Sequence, residues 1–125
     1  MEYRFESNGT ITIVHITGDM DTAATTAQLD GEIGSLVSSG HTNIIFNLEN
    51  TSYLDSAGIS VFIHCLCAVQ EKKGWIAIVA QDNQVRRVLE MVGLNRLITT
   101  YDSLRDCLDA GINGGAASSQ PSAAR

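Results

Sequence analysis

The residues whose types and spacing could carry chemistry converge on one stretch, Leu54-Asp55-Ser56-Ala57-Gly58. A hydroxyl where a strand gives way to a helix suggests a nucleophile. Ser56-Ala57-Gly58 keeps the last three places of the elbow G-x-S-x-G, with Leu54 standing at its first glycine. Such a serine needs a histidine to take its proton. Only His64 follows it, about two helical turns along the same expected helix, from where it cannot fold back onto Ser56. Hydrolysis through Ser56 is therefore disfavoured. The sequence contains no G-x-x-x-x-G-K-[ST], and the glycines at 111, 114 and 115 do not lie between a strand and a helix as G-x-G-x-x-G requires. Asp19, Asp21 and Asp55 could gather around Mg²⁺ as in a receiver-type phosphoacceptor domain, but no lysine follows the later strands to clamp a phosphoryl group. His15, His41 and His64 are scattered without ligand spacing. Cys65 and Cys67 lie two apart on an expected helix and so point to nearly opposite sides. With Cys107 they read as buried thiols in a reducing compartment. No metal or cofactor is expected.

What remains is a serine that is modified, or one that is structural. At the first residue of a helix, Ser56 has backbone N–H groups and the positive end of the dipole beside it, so the domain tolerates a phosphate there. Equally, Ser56 can be an ordinary N-cap. The residues alone leave both open. Gly58 costs about 1 kcal/mol against alanine within a first turn, which points to a need for a small residue, such as close approach of a partner.

The elements that must position this stretch are legible from periodicity. Tyr3 to Glu6 and Thr10 to Thr17 flank Ser7-Asn8-Gly9, a hairpin signal. A helix follows, capped by Asp21 or Thr22, with Leu29, Ile33, Leu36 and Val37 on one face and Ser38-Ser39-Gly40 at its end. Asn43 to Leu48 is a buried-type strand, and Glu49 to Ser52 a polar turn. The helix after Leu54 aligns Ile59, Phe62, Ile63, Leu66 and Val69 and closes on Lys72-Lys73-Gly74. Trp75 to Ala80 is a further strand. Asp82 caps a helix with Val85, Val88, Leu89 and Val92, and Gly93 ends it. A short strand from Leu97 to Thr99 precedes a last helix begun by Ser103 and Asp106, with Leu104, Cys107 and Leu108 as its stripe. The order ββαβαβα(β)α implies an α/β domain: one mixed, largely parallel sheet of four to five strands flanked by about four helices. It should fill residues 1–112, with 113–125 a disordered tail. In such sheets function gathers where strands end and helices begin, here Gly18 to Thr22 and Leu54 to Gly58.

Charge narrows the partners. Of 125 residues, 14 are acidic and 8 are Lys or Arg, giving −6, and every carboxylate from Glu2 to Asp55 faces a single base, Arg4. Nucleic acid is disfavoured, because binding it needs a basic stripe to displace counterions. No apolar run approaches the roughly 20 residues that span a bilayer, and the first residues lack the apolar core of a signal peptide. A cytoplasmic, non-membrane protein is expected.

Four marks, in order and spacing, resemble a known family: Gly18-Asp19-Met20-Asp21; Asn47-Leu48-Glu49 leading to Leu54; Asp55-Ser56-Ala57-Gly58-Ile59; and Val88-Leu89-Glu90 to Gly93-Leu94. They are similar to G-[ED]-[LIM]-D, the run before the site, D-S-[STA]-G-[LI] and v-L-e-x-x-g-l of the bacterial anti-sigma factor antagonists, the stand-alone STAS domains of partner-switching systems. The resemblance covers about residues 9 to 110. It implies a STAS fold and a non-enzymatic role in which Ser56 is phosphorylated by an anti-sigma factor that is itself an ATP-dependent serine kinase of the GHKL type. A PP2C-type phosphatase reverses the modification. The unphosphorylated form would bind the kinase and free its client, often a sigma factor. The partner surface implied is Asp21, Thr22, Leu54, Asp55, Ser56, Ala57, Gly58 and Ser60, with Asp82 to Gln84 beside it. Asn47 stands where the family commonly has Asp, and Ala57 leaves Ser56 the single hydroxyl of its motif. A non-switching STAS scaffold or transport-complex subunit is the alternative. The purified protein should show no hydrolase or nucleotidase turnover; turnover abolished by Ser56→Ala would overturn this reading.

Overall fold

A computed structural model describes residues 1–20 and 23–114. Strands β1 (Glu2–Asn8), β2 (Ile11–Thr17), β3 (Asn43–Asn50), β4 (Trp75–Val79) and β5 (Thr99–Tyr101) form one sheet in sequential order. Helices α1 (Ala23–Ser38), α2 (Ser56–Glu71), α3 (Asn83–Met91) and α4 (Leu104–Gly114) connect or follow them, with a 3₁₀ turn at Leu94–Arg96. The β1–β2 pair is antiparallel and all others are parallel, as the order of elements implies. The caps expected at Asp21 or Thr22, and the tail beyond Gly114, lie outside the described residues; α4 takes in Asn113 and Gly114, which the sequence reading assigned to the tail.

Alternation along the strands divides the core into two layers. Val14, Ile16, Ile44, Phe46, Leu48, Ile76 and Ile78 face α1, α2 and α3, meeting Leu29, Ile33, Phe62, Val69, Val85 and Leu89. Phe46 and Phe62 meet edge to face with ring centroids 4.9 Å apart. On the other side Ile11, Ile13, Ile45, Ala77 and Val79 meet Cys107 of α4. Three consecutive crossovers that advance in one direction, each right-handed, must put their helices on one face. A single helix is left for the other.

Several local expectations shift. The hairpin turn is Gly9-Thr10, closed by the pair Asn8–Ile11, and Gly9 takes φ +64°. Glycine in the first of two loop positions is the II′ pattern, one residue later than Asn-Gly would place it. Glu49 and Asn50 continue β3 rather than turning, and β5 lies two residues beyond the expected strand because Leu94–Arg96 coils first. On α2, Val61 and Cys65 are buried, while Ile63 is 42% exposed; Val92, past α3, is 52% exposed. Cys67 is exposed, opposite Cys65, so only Cys65 and Cys107 are the buried thiols expected. Burial pushes both up to about 12, with Asp30 adding to the effect at Cys65, so neither is a nucleophile at neutral pH.

The end of α2 assigns its residues differently from the pattern Lys72-Lys73-Gly74. Lys73 adopts the left-handed conformation, φ +61°, while Gly74 N–H donates to the carbonyl of Val69 and Lys73 N–H to that of Gln70, at 2.7 and 3.1 Å. Gly74 serves proximity instead. A Cβ there would lie 2.0 Å from the Thr42 carbonyl oxygen, which accepts the Trp75 N–H that sets β4 against β3. Because the obstacle is backbone, Gly74→Ala should cost about 3 kcal/mol, the upper range for overpacking, read as a lowered thermal midpoint.

Candidate functional site

The two strand ends singled out in the sequence are joined by backbone. Met20 N–H donates to the Tyr53 carbonyl at 2.8 Å and Asp55 N–H to the Met20 carbonyl at 3.2 Å, making a parallel bridge between Met20 and Leu54. Upstream, β3 gains a residue on β2: His15 pairs with Asn47, but Thr17 with Asn50. Thr51, buried at the end of β3, returns a hydroxyl to the Ile16 carbonyl at 3.1 Å, and Gly18 N–H donates to the Asn50 carbonyl at 3.0 Å. Ser52 donates to Asp19 at 3.2 Å across the same gap. The β2–α1 and β3–α2 connections thus form one ledge.

Asp55 begins α2 from this ledge. Its backbone is extended and its Oδ1 accepts from the N–H groups of Ala57 and Gly58, at 2.9 and 3.4 Å. The cap is therefore Asp55, not Ser56. Ser56 is the first helical residue, exposed, and its hydroxyl makes no hydrogen bond among the described residues; Ser60 Oγ, one turn on, donates to the Ser56 carbonyl at 2.9 Å. Two of the first-turn N–H groups expected to cradle a phosphate, those of Ala57 and Gly58, are already held by a carboxylate. The helix dipole offsets part of any charge added beside Asp55.

Gly58 is buried, and its small size answers to the interior. A Cβ would stand 3.1 Å from Met20 Cβ and 3.3 Å from Leu54 Cβ, so α2 presses directly on the bridge. Close approach of a partner is not the reason for glycine here. Leu54, 2% exposed, likewise shapes the ledge from beneath. Of the residues expected at the partner surface, the structure brings together Leu54, Asp55, Ser56, Ala57, Gly58 and Ser60; Asp21 and Thr22 lie outside the described residues. Asp82 caps α3 through the N–H groups of Gln84 and Val85, at 2.8 and 3.3 Å. No group of three or more His, Cys, Asp or Glu suited to a metal occurs among the described residues.

Sequence reasoning missed four supports. Met20 enters only as one place of the Gly18–Asp21 mark, and Thr51 carries no motif signal beyond being β-branched. Asn47 and Glu49 were noted only as part of a pattern, yet the Glu49 N–H donates to Asn47 Oδ1 at 3.1 Å, which turns Asn47 Nδ2 toward His15 Nδ1 at 3.0 Å. His15 Nδ1 then accepts, and Nε2 donates to Glu6 at 2.6 Å. The Glu49 carboxylate accepts the Leu104 N–H at 3.0 Å and so starts α4. Also unforeseen is the continuation of the Ser56–Ser60 face along α2 by exposed Ile63 and Cys67, at helical spacing and uncharged. Because Asp55 and not Ser56 holds the first turn, Asp55→Ala should lower unfolding stability by about 1 kcal/mol, while Ser56→Ala stays within about 0.5 kcal/mol of the parent; denaturant melts of both variants check this.

Comparison with known proteins agrees with this architecture. Residues 2–107 match the STAS domain family. The anti-sigma-F factor antagonist RsfB of Mycobacterium tuberculosis is 29% identical over 113 residues, spanning 88% of this chain and 87% of its own. The crystal structure of an anti-sigma factor antagonist from Mycobacterium paratuberculosis superposes with TM-score 0.73 at 25% identity, over 87% of this chain and 92% of that one. The Bacillus cell fate determinant SpoIIAA in its phosphorylated form gives TM-score 0.71 at 19% identity, over 86% and 97%. With the sheet order, the strand-end ledge and the Asp55-capped helix all in place, this chain belongs to the STAS domain family.

Proposed function

We propose that this chain is an anti-sigma factor antagonist switched by phosphorylation of Ser56. The observation that carries the reading is the division of labour at the start of α2: Asp55 satisfies the helix, and Ser56 is left exposed with an uncommitted hydroxyl. A serine that capped the helix would support a non-switching scaffold or transport subunit. Asp55 holds that post, so nothing at Ser56 favours that reading.

In the proposed switch the chain is substrate and ligand, not enzyme. A GHKL-type anti-sigma kinase would bring ATP and Mg²⁺, and transfer the γ-phosphoryl group to Ser56 Oγ with loss of the hydroxyl proton. A PP2C-type phosphatase would return the hydroxyl. The contact surface is Asp21, Thr22, Asp55, Ser56, Ala57 and Ser60, on a ledge shaped by buried Leu54 and Gly58. Acidic groups there complement a basic partner face, so association slows as salt rises. That no described helix is long and apolar enough to cross a membrane is compatible with a cytoplasmic site of action.

Phosphate brings roughly −1.5 to −2 charge at neutral pH, beside the Asp55 carboxylate that already occupies the helix end. In the complex that group would be desolvated against a face complementary to a neutral hydroxyl, and each 1.4 kcal/mol lost weakens binding about tenfold. Calorimetric titration of the kinase should find Ser56→Ala binding like the unphosphorylated parent and resisting phosphorylation. Ser56→Asp, and more fully the phosphorylated parent, should bind at least about tenfold more weakly with unchanged circular dichroism. Equal affinities of phosphorylated and unphosphorylated protein would return Ser56 to a passive surface residue.

A further inference from the structure

β1 lies at the edge of the sheet, and no described strand pairs with its outer side. It is seven residues long, carries no proline, and is held firmly from within: Tyr3 Oη donates to Glu32 of α1 at 2.7 Å, and Tyr3 and Phe5 pack on the main core. A long, rigid, unpaired edge is a template for another strand.

Its hydrogen-bonding direction follows from the hairpin. The pair closing a two-residue turn, Asn8 with Ile11, exchanges both backbone bonds, and such pairs alternate along an antiparallel ladder. Glu2, Arg4, Glu6 and Asn8 therefore spend their N–H and C=O groups on β2, while Tyr3, Phe5 and Ser7 direct theirs outward. An antiparallel copy of β1 can meet this edge only in registers that match outward residues with each other. The register centred on Phe5 overlaps all of Glu2–Asn8. It sets Tyr3 across from the other copy's Ser7, Phe5 across from Phe5, and Arg4 across from Glu6 twice. Slipping by one step either way sets Arg4 against Arg4 or Glu6 against Glu6. Arg4 makes only a loose 4.0 Å contact with Glu6 within the chain, and Glu6, whose Oε1 accepts from His15 Nε2 at 2.6 Å, keeps Oε2 for the exchange; the two side chains are 69% and 46% exposed.

We propose that this chain forms a two-fold dimer by antiparallel pairing of β1 with β1 of a second copy, giving a continuous sheet of ten strands, five from each copy. The charge pattern that guards the edge against mismatched strands is self-complementary in one register, the one of fullest overlap. The dimer leaves α2 and Ser56 free, since β3, β4 and the helices over them lie away from the β1 edge. It stands independently of the switch at Ser56.

Sedimentation of the full chain at roughly 100 μM, well above a micromolar dissociation constant, should show a dimer. Arg4→Glu and Glu6→Arg should each weaken it at least about tenfold, and the double exchange should restore it, because opposite charges again face each other. Ser7→Pro provides a second route: it removes an outward N–H that the fold does not use, and should leave a folded monomer by circular dichroism. Since Glu6 also meets His15, Arg4→Glu and Ser7→Pro decide the matter if Glu6→Arg misfolds. A monomeric parent at that concentration would overturn the proposal, as would a dimer indifferent to both Arg4→Glu and Ser7→Pro.

Discussion

The contact of Gly58 with Met20 and Leu54 sets the geometry of everything at the functional edge. The two residues are joined by the backbone bridge that unites the β2–α1 and β3–α2 connections. A Cβ at 58 would press on Met20 Cβ and Leu54 Cβ, at 3.1 and 3.3 Å, so that either these side chains give way or the first turn of α2 shifts, and with it the carboxylate of Asp55 and the hydroxyl of Ser56. Backbone hydrogen bonds hold the ledge in the plane of the sheet. The absence of a Cβ lets the helix rest upon it. A loop of this kind presents an exposed residue with the rigidity of a strand, which suits a surface that another protein must read in one geometry.

The same arrangement leaves Ser56 exposed at a helix start to which its hydroxyl does not contribute, as the proposed switch requires. A serine at the cap would tie modification to folding, because the phosphoryl oxygens would compete for the N–H groups of the first turn. Moving the cap one residue earlier, to a carboxylate that takes two N–H groups, separates the two roles. It also loads the helix end with negative charge in advance. A second anion at Ser56 would therefore meet repulsion from Asp55 as well as attraction from the dipole.

How much of this was legible in the sequence depended on whether a feature was local or tertiary. Periodicity located every helix, all five strands within a few residues, and the strand ends where the site lies, because hydrophobic spacing and caps such as Asp82 and Ser103 act within a turn or two. Glycines were less readable. Gly74 looked like a helix terminator, but its role is set by Thr42, more than thirty residues away in sequence; Gly58 looked like room for a partner, but its neighbours are Met20 and Leu54. The choice between Asp55 and Ser56 as cap was likewise open, since adjacent polar residues can both cap and a one-residue shift of the boundary decides which does. Cys67 and Ile63 faced outward against expectation because α2 packs on α1 as well as on the sheet, which rotates its buried stripe toward Val61 and Cys65.

The second face of the sheet shows what such a topology leaves over. With α1, α2 and α3 on one side, α4 covers the other only along the strip marked by Ile13, Ile45 and Val79. Toward β1 that face becomes polar, and its hydrogen bonds run in one direction, from the Glu49 N–H through Asn47 and His15 to the Glu6 carboxylate. A carboxylate at 47 could not donate to His15 Nδ1, so aspartate there would require the imidazole to present a proton on that side. Asparagine thus ties the neighbouring strands by a hydrogen bond to His15 Nδ1, and the Glu49 side chain, beyond the same hydrogen-bonded chain, fixes where α4 begins. Asparagine rather than aspartate at 47 is therefore a matter of hydrogen-bond donation within the sheet. It alters the support behind the ledge and not the residues displayed upon it.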